Sequence, residues 1–535
     1  SFIDLNGEIL DPPGSPAVRM AGEISGMPVA VLKRIWPKFV APGAREWIGE
    51  SVSGGRITGG RIDIDIPGGI LHKLEADGDL PSQSVDVRFG TDDLVISYID
   101  GMPEIQTGPG TAMLRGRRFV FNVPDGVIAL PGRAPVALEN AQFVIGDLRP
   151  RVPEAELNFR VSAEAGAAYD LLNHDPLNYA GAVGLEPEGL SGRLAGAFGL
   201  DIPLLKDLDF EDMGIRGRAT LEDPTASGFA KDLAVNGGEV VFDVNEKALN
   251  AKGDVLVNGV PVNVDWHRIF GAPDRLQPGL RLHAALDGQD REDLGLDINH
   301  VVRGTVPLWL TIKHDDNRHR MRVEADLTNA EVFFINVASR KPPGESATLT
   351  FDVAEDETGR TVLNDVRMVG DEIAMSGTVT IGEDGLPRSF DFPTFSPTLL
   401  TRLQISGVRD DQNVWRVQAT GDSYDGREFF RSLFSRGKLA EDQPERPERE
   451  WGLDITAKVS TVIGHNDTTV TNLTAHVRKD AGELTKLSVN GRLAGEAPLA
   501  VRLRNTEGEP RLLLAEATDA GAAFRLVGLY KRVAG

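Results

Sequence analysis

Nine histidines, no cysteine and a surplus of carboxylates set the chemistry open to this 535-residue chain. Without cysteine there are no disulfides, no thiolate metal sites and no thiol nucleophile. His314 and His319 flank acidic residues as a metal-binding pair would. They also stand on either side of Asp315-Asp316-Asn317-Arg318, a turn signal between two alternating runs, and their spacing matches no zinc or iron arrangement. A hairpin without a metal is expected there. The run Gly54-Gly55-Arg56-Ile57-Thr58-Gly59-Gly60-Arg61 has the glycines of a phosphate loop, yet it lacks the Lys-Ser/Thr pair and leads into a strand pattern, so it reads as a bend. Asp63/Asp65 and Asp92/Asp93 offer the two carboxylates that glycoside hydrolysis needs, but the wet face or turn of a strand accounts for them. No Gly-x-Ser-x-Gly elbow occurs. The expectation is therefore no catalytic residue, no metal and no cofactor, with an enzyme ranked behind a lipid-binding body and a structural scaffold.

What does recur is alternation of aliphatic and polar residues at a period of two, which places one side-chain set on each face of a strand. Its apolar members are Ile62, Ile64, Ile66, Val240, Phe242, Val244, Leu308, Leu310, Met321, Val323, Leu349, Phe351, Leu453, Ile455, Leu499 and Val501. One hairpin resolves in detail. Asn258-Gly259 is the preferred pair of a two-residue type I′ turn, which sets Val257 opposite Val260 and Val255 opposite Val262. Val255, Val257, Val260, Val262 and Val264 then share one face, and Asp254, Leu256, Pro261, Asn263 and Asp265 take the other, which is mostly polar. Asn490-Gly491 gives no such split and is left unassigned.

Between the strands, Pro28 to Ser53 reads as a helical region, with Pro42 at the first turn of its second helix. A short helix is expected over Glu164 to Leu172. That segment matches Asp519 to Val527 and, more loosely, Asp425 to Leu433, so the plan is a run of strands, a short helix, then more strands. Residues 438–450, rich in charge and proline, read as an exposed linker. The chain thus divides into the end of a preceding β segment over 1–27, a helix-led β region over 28–437, the linker, and a further β region over 451–535.

The formal net charge of -23, without a basic run, argues against nucleic acid as a partner. No stretch nears the roughly 20 apolar residues of a membrane-spanning helix, and the chain starts without Met and stops in mid-pattern, as an internal piece of a longer protein would. Roughly two dozen strands exceed what an open flat sheet sustains, so the apolar face must be hidden by sandwich packing or by curling into a trough. A mainly β fold is expected: a long, twisted, antiparallel sheet curled into an elongated hydrophobic groove, with a few short amphipathic helices. The apolar residues named above, with the five hairpin valines, are its candidate lining. Such a groove suits acyl chains, since burial gains about 0.8 kcal/mol per methylene, or ~12 kcal/mol for a chain of ~16 carbons.

The segment Pro28 to Gly60, in which a Trp-containing helix leads into a Gly-Gly strand start, resembles the central region of YhdP-type proteins of the AsmA-like superfamily. Thr518 to Gly535 resembles the start of the AsmA-like C-terminal region. The resemblance implies a periplasmic bridge of Gram-negative bacteria, tethered to the inner membrane by an N-terminal helix absent from this sequence. It would carry phospholipid toward the outer membrane, with inner- and outer-membrane proteins as further partners. The competing expectation is an assembly or adhesion scaffold of the cell envelope with a closed β core.

Overall fold

The structure, a computed structural model, describes residues 2–10, 15–36, 42–70, 81, 83–150, 152–175, 177, 188–205, 212–228, 232–296, 298–315, 318–334, 339–356, 358–434, 451–480, 483–493, 496–504 and 512–528. The expected linker at 438–450, turn residues 316–317 and the stretch after 528 lie outside the described residues. Strands make up 65% of the chain, and 28 of them belong to one sheet. The fold is mainly β and consistent with the expected β-groove. Two compact units divide the chain, Ser1–Pro278 and Gly279–Gly535.

In the first unit the strands pair antiparallel in sequence order, through turns or helix-bearing connections, save that Val85–Ile96 pairs with Gly110–Arg115 and Ile105–Thr107 with Arg118–Ile128. Phe2–Leu10 pairs with Ala17–Pro28, which pairs with Val52–Ile66 and so on to Val260–Ile269. The helices Val29–Ile35 and Pro42–Ser51 fill the expected helical region, with Pro42 as the first residue of the second. The Asn258-Gly259 turn has both residues at positive φ, +50° and +87°, as type I′ requires, and pairs Val257 with Val260 and Val255 with Val262. The glycine-rich run that mimicked a phosphate loop lies inside the strand Val52–Ile66, where the register shifts repeatedly. Gly55 sits at φ +97°, and a Cβ there would come within 2.6 Å of the Asp93 carbonyl oxygen, so the glycine serves a bulge.

The second unit follows the same rule from Gly279–Leu286 onward, with one exception that alternation did not disclose. Val414–Asp425 and Gly452–Ile463 run parallel, with Val414 beside Gly452 and Asp425 beside Ile463. Parallel neighbours need a crossover of about a dozen residues or more, and the chain between them, opening with the helix Arg427–Phe434, supplies that length. A separate three-stranded sheet of Val302–Arg303, Glu331–Phe334 and Ser339–Lys341 was also not foreseen. Its anchor is Lys341, 1% exposed, whose Nζ donates to the carbonyls of Thr328, Ala330 and Pro342 at 2.9 to 3.2 Å. Burial pulls this ammonium's pKa down.

The three segments of the internal repeat are all helical, Ala165–Leu172, Arg427–Phe434 and Ala520–Leu526. Glu164 and Asp519 occupy equivalent N-cap positions and accept from the amides of Ala167 and Ala522. Asn490-Gly491 lies within the strand Glu483–Leu493 and makes no turn.

Candidate functional site

Each unit presents one polar and one apolar sheet face. On the polar face, arginines bridge carboxylates of the same or neighbouring strands: Arg19 meets Glu8 and Asp65, Arg216 meets Asp201 and Glu156, and Arg322 meets Asp352. Asp63 pairs with Arg61 and Asp92 with Arg56, which places the supposed catalytic carboxylates in surface ion pairs. His314 pairs with His319 across its hairpin, and their side chains lie outside the described residues. Among the described residues no group of three or more His, Asp or Glu can hold a metal ion.

The apolar face is continuous from strand to strand. In the second unit Leu280, Ile312, Met321, Val353, Leu363, Val379, Phe390, Gly407, Val417, Ile455, Val477 and Leu487 are successive cross-strand partners. In the first, Phe89, Ala112, Phe121, Phe143, Leu157, Leu200 and Ile215 form such a row. All members of both rows but Ala112 and Gly407 are part-buried, neither sealed as in a sandwich core nor freely exposed. Phenylalanines lie against glycines of the next strand: a Cβ at Gly217 would fall 2.3 Å from Phe198 Cδ1, and one at Gly407 2.5 Å from Phe390 Cζ. Each glycine thus makes room for the neighbouring ring.

The helices and the small sheet cover the apolar face at one end of the strands. In the first unit, the pairings Val52 with Ile96, Ile105 with Ile128, Ile128 with Val136 and Ala137 with Ser162 set the helices after Pro28 and after Glu164 at the same strand end. There Ala167 packs with Ile128, Leu130, Val136 and Ala163. In the second unit the helices Gly288–Asp293, Arg427–Phe434 and Ala520–Leu526 and the small sheet all join strands at one end. Ala522 and Leu526 close there on Val459, Val462, Val470 and Leu493, while Phe334 of the small sheet packs edge-on against Phe395 at 6.3 Å. Arg291 ties this cap together, donating to the carbonyls of Leu286, Val302 and Gly304.

The candidate residues sort accordingly. Ile62, Ile64, Ile66, Phe242, Val244, Val257, Val264, Leu308, Leu310, Met321, Val323, Leu349, Phe351, Leu453, Ile455 and Val501 are part-buried on the apolar face. Val240, Val255, Val260, Val262 and Leu499 are buried, Val260 to 1%. The valine hairpin therefore has the foreseen register, with its tip at the helix-bearing end.

At the opposite end of the second unit the apolar face finishes in a cluster missed from the sequence. Arg409, 4% exposed, continues the row of Leu403, Ile405 and Gly407. Its Nη1 and Nη2 donate to the two Asp384 oxygens at 2.7 and 2.9 Å, and its guanidinium lies 5.6 Å from the Trp451 ring centroid. Trp415 stacks between Phe390 and Trp451. The hydrogen bonds from Arg409 hold the Asp384 carboxyl down at a pKa of about 2. The signal was present: Asp384 lies in the turn-forming run Gly382-Glu383-Asp384-Gly385, and an arginine at an apolar strand position calls for a partner.

No family model matches the chain, and neither a curated protein nor a solved structure matches it significantly.

Proposed function

We propose that the chain is a non-enzymatic lipid conduit, in which acyl chains of phospholipids lie along the apolar face while the polar face meets water. The observation that carries this reading is the row from Leu280 to Leu487, apolar at every rung but the glycine and part-buried nearly throughout. At about 4.8 Å per strand such a row spans several lipid widths, so an acyl chain passes from rung to rung without meeting water. The setting proposed is the Gram-negative periplasm, between inner and outer membranes, supporting outer-membrane biogenesis, as the resemblance of the Pro28 to Gly60 segment implies. A scaffold with a closed core is favoured only by the buried clusters, and these gather at one strand end.

Native mass spectrometry and lipid extraction of the purified chain test the reading. Co-purifying diacyl phospholipid, or uptake of added fluorescent phospholipid, is expected. Lipid-free protein that takes up none would transfer the case to the scaffold.

A further inference from the structure

The two ends of the apolar face differ in chemistry as well as in cover. In the first unit the row Phe198, Gly217, Val244, Leu249 ends at Arg268, and Trp266 stands two residues further in along the same strand face. In the second, Arg409, Trp415, Leu453 and Lys479 are successive cross-strand partners on the apolar face. Both sets lie at the strand end away from the helices. Trp beside Arg or Lys, at the limit of an aliphatic surface, is the arrangement that suits a boundary between hydrocarbon and headgroup: an amphipathic ring at the edge and a cation reaching outward. At Arg409 the Nε is buried without a hydrogen-bond partner among the described residues, a donor left over after Asp384 has engaged both terminal nitrogens.

Resting on the lipid reading above, we propose that bound phospholipid has a fixed orientation, its acyl chains toward the helix-bearing end and its phosphate at the opposite end, met by Arg268 in the first unit and by Lys479 in the second, where the buried Arg409, held by Asp384, adds its charge from behind. In the second unit the helix-bearing end is closed to a headgroup around Val470, Leu493, Ala522 and Leu526, which are at most 3% exposed, and the buried cations there, Arg291 and Lys341, are spent on backbone carbonyls.

The test compares a fluorescent-acyl phosphatidylglycerol with a diacylglycerol carrying the same chains, on the wild-type chain and on the Arg268→Gln/Lys479→Gln variant. Both substitutions are at part-buried sites and leave Arg409 with Asp384. Phospholipid affinity should fall about tenfold relative to diacylglycerol affinity, since of the two ligands only the phospholipid loses a charge-assisted hydrogen bond. Since the chain has no cysteine, benzophenone can be attached at a single Leu249→Cys or Val255→Cys. Headgroup-labelled lipid should crosslink from Leu249→Cys, and tail-labelled lipid from Val255→Cys. Equal losses for both lipids, no loss for either, or the reversed crosslinking pattern would overturn the orientation while leaving the conduit standing. Failure of the wild-type chain to bind either lipid would overturn both.

Discussion

The helix-bearing and opposite ends of the strands are built from the same alternating sequence and end in different states. Near the helices the apolar face is core in each unit: Val136 is 1% exposed under the helix that Glu164 caps, and Leu493 1% exposed under the helix that Asp519 caps. Away from them the same face is mostly part-buried, with Ile145, Ala155, Arg409 and Trp415 buried, and it ends in Arg, Lys and Trp. Aliphatic alternation thus specifies a face, and what covers the face decides whether it is core or surface.

The largest effect should come from placing a charge at each end. Val470→Asp buries a carboxylate where no partner or water is within reach, so it should cost several kcal/mol and prevent folding; Ile455→Asp, part-buried in the open row, should fold and lose lipid. Chemical denaturation with lipid binding separates the two, and similar instability in both would erase the distinction. Val262→Asp belongs with the covered end and should destabilise the chain strongly, whereas Asn263→Asp, exposed on the polar face, should cost only about 1 kcal/mol, from the lost hydrogen bond to Asp254 and the two carboxylates then side by side.

Next in size is Leu493→Ala, expected to cost about 3 kcal/mol through the cavity it leaves, against about 1 kcal/mol or less for Leu487→Ala in the open row. Removing the caps by Glu164→Ala or Asp519→Ala should cost about 1 kcal/mol each and loosen the helix-bearing end, read as faster amide exchange in Ala165–Leu172 or Ala520–Leu526. Smallest is a pH effect at the opposite end. The Asp384 carboxyl titrates at about 2 in the folded chain against an ordinary 3.8, so its contribution is full above pH 4 and is lost as pH falls toward 2. The carboxylate is partly exposed, so the change should be slight, and Asp384→Asn should remove that part of the acid dependence.

Much of this was legible in the sequence because a period of two is a local signal. The strands, the apolar set and the Asn258-Gly259 register follow from residues within one hairpin. The second Asn-Gly pair shows where local reading ends. Gly491 accommodates the packing of Val470, whose Cγ1 would lie 2.5 Å from a Cβ there, a contact from a strand twenty residues earlier. The parallel pairing of Val414–Asp425 with Gly452–Ile463 and the clasp of Arg409 by Asp384 depend likewise on which strands become neighbours. Cover depends on tertiary placement too: Val262 and Ile455 are both alternating aliphatics, and only the structure separates them as buried and part-buried.

The most direct test of an open apolar path is maleimide labelling of single cysteines at Val417→Cys and Ile455→Cys on the apolar face and Thr456→Cys on the other, before and after removal of lipid. The account predicts that the first two label slowly with lipid bound and several-fold faster once it is removed, while Thr456→Cys labels quickly in both states. Apolar-face cysteines that resist labelling in both states would show a closed core, and ones that label equally in both would show that lipid does not travel there.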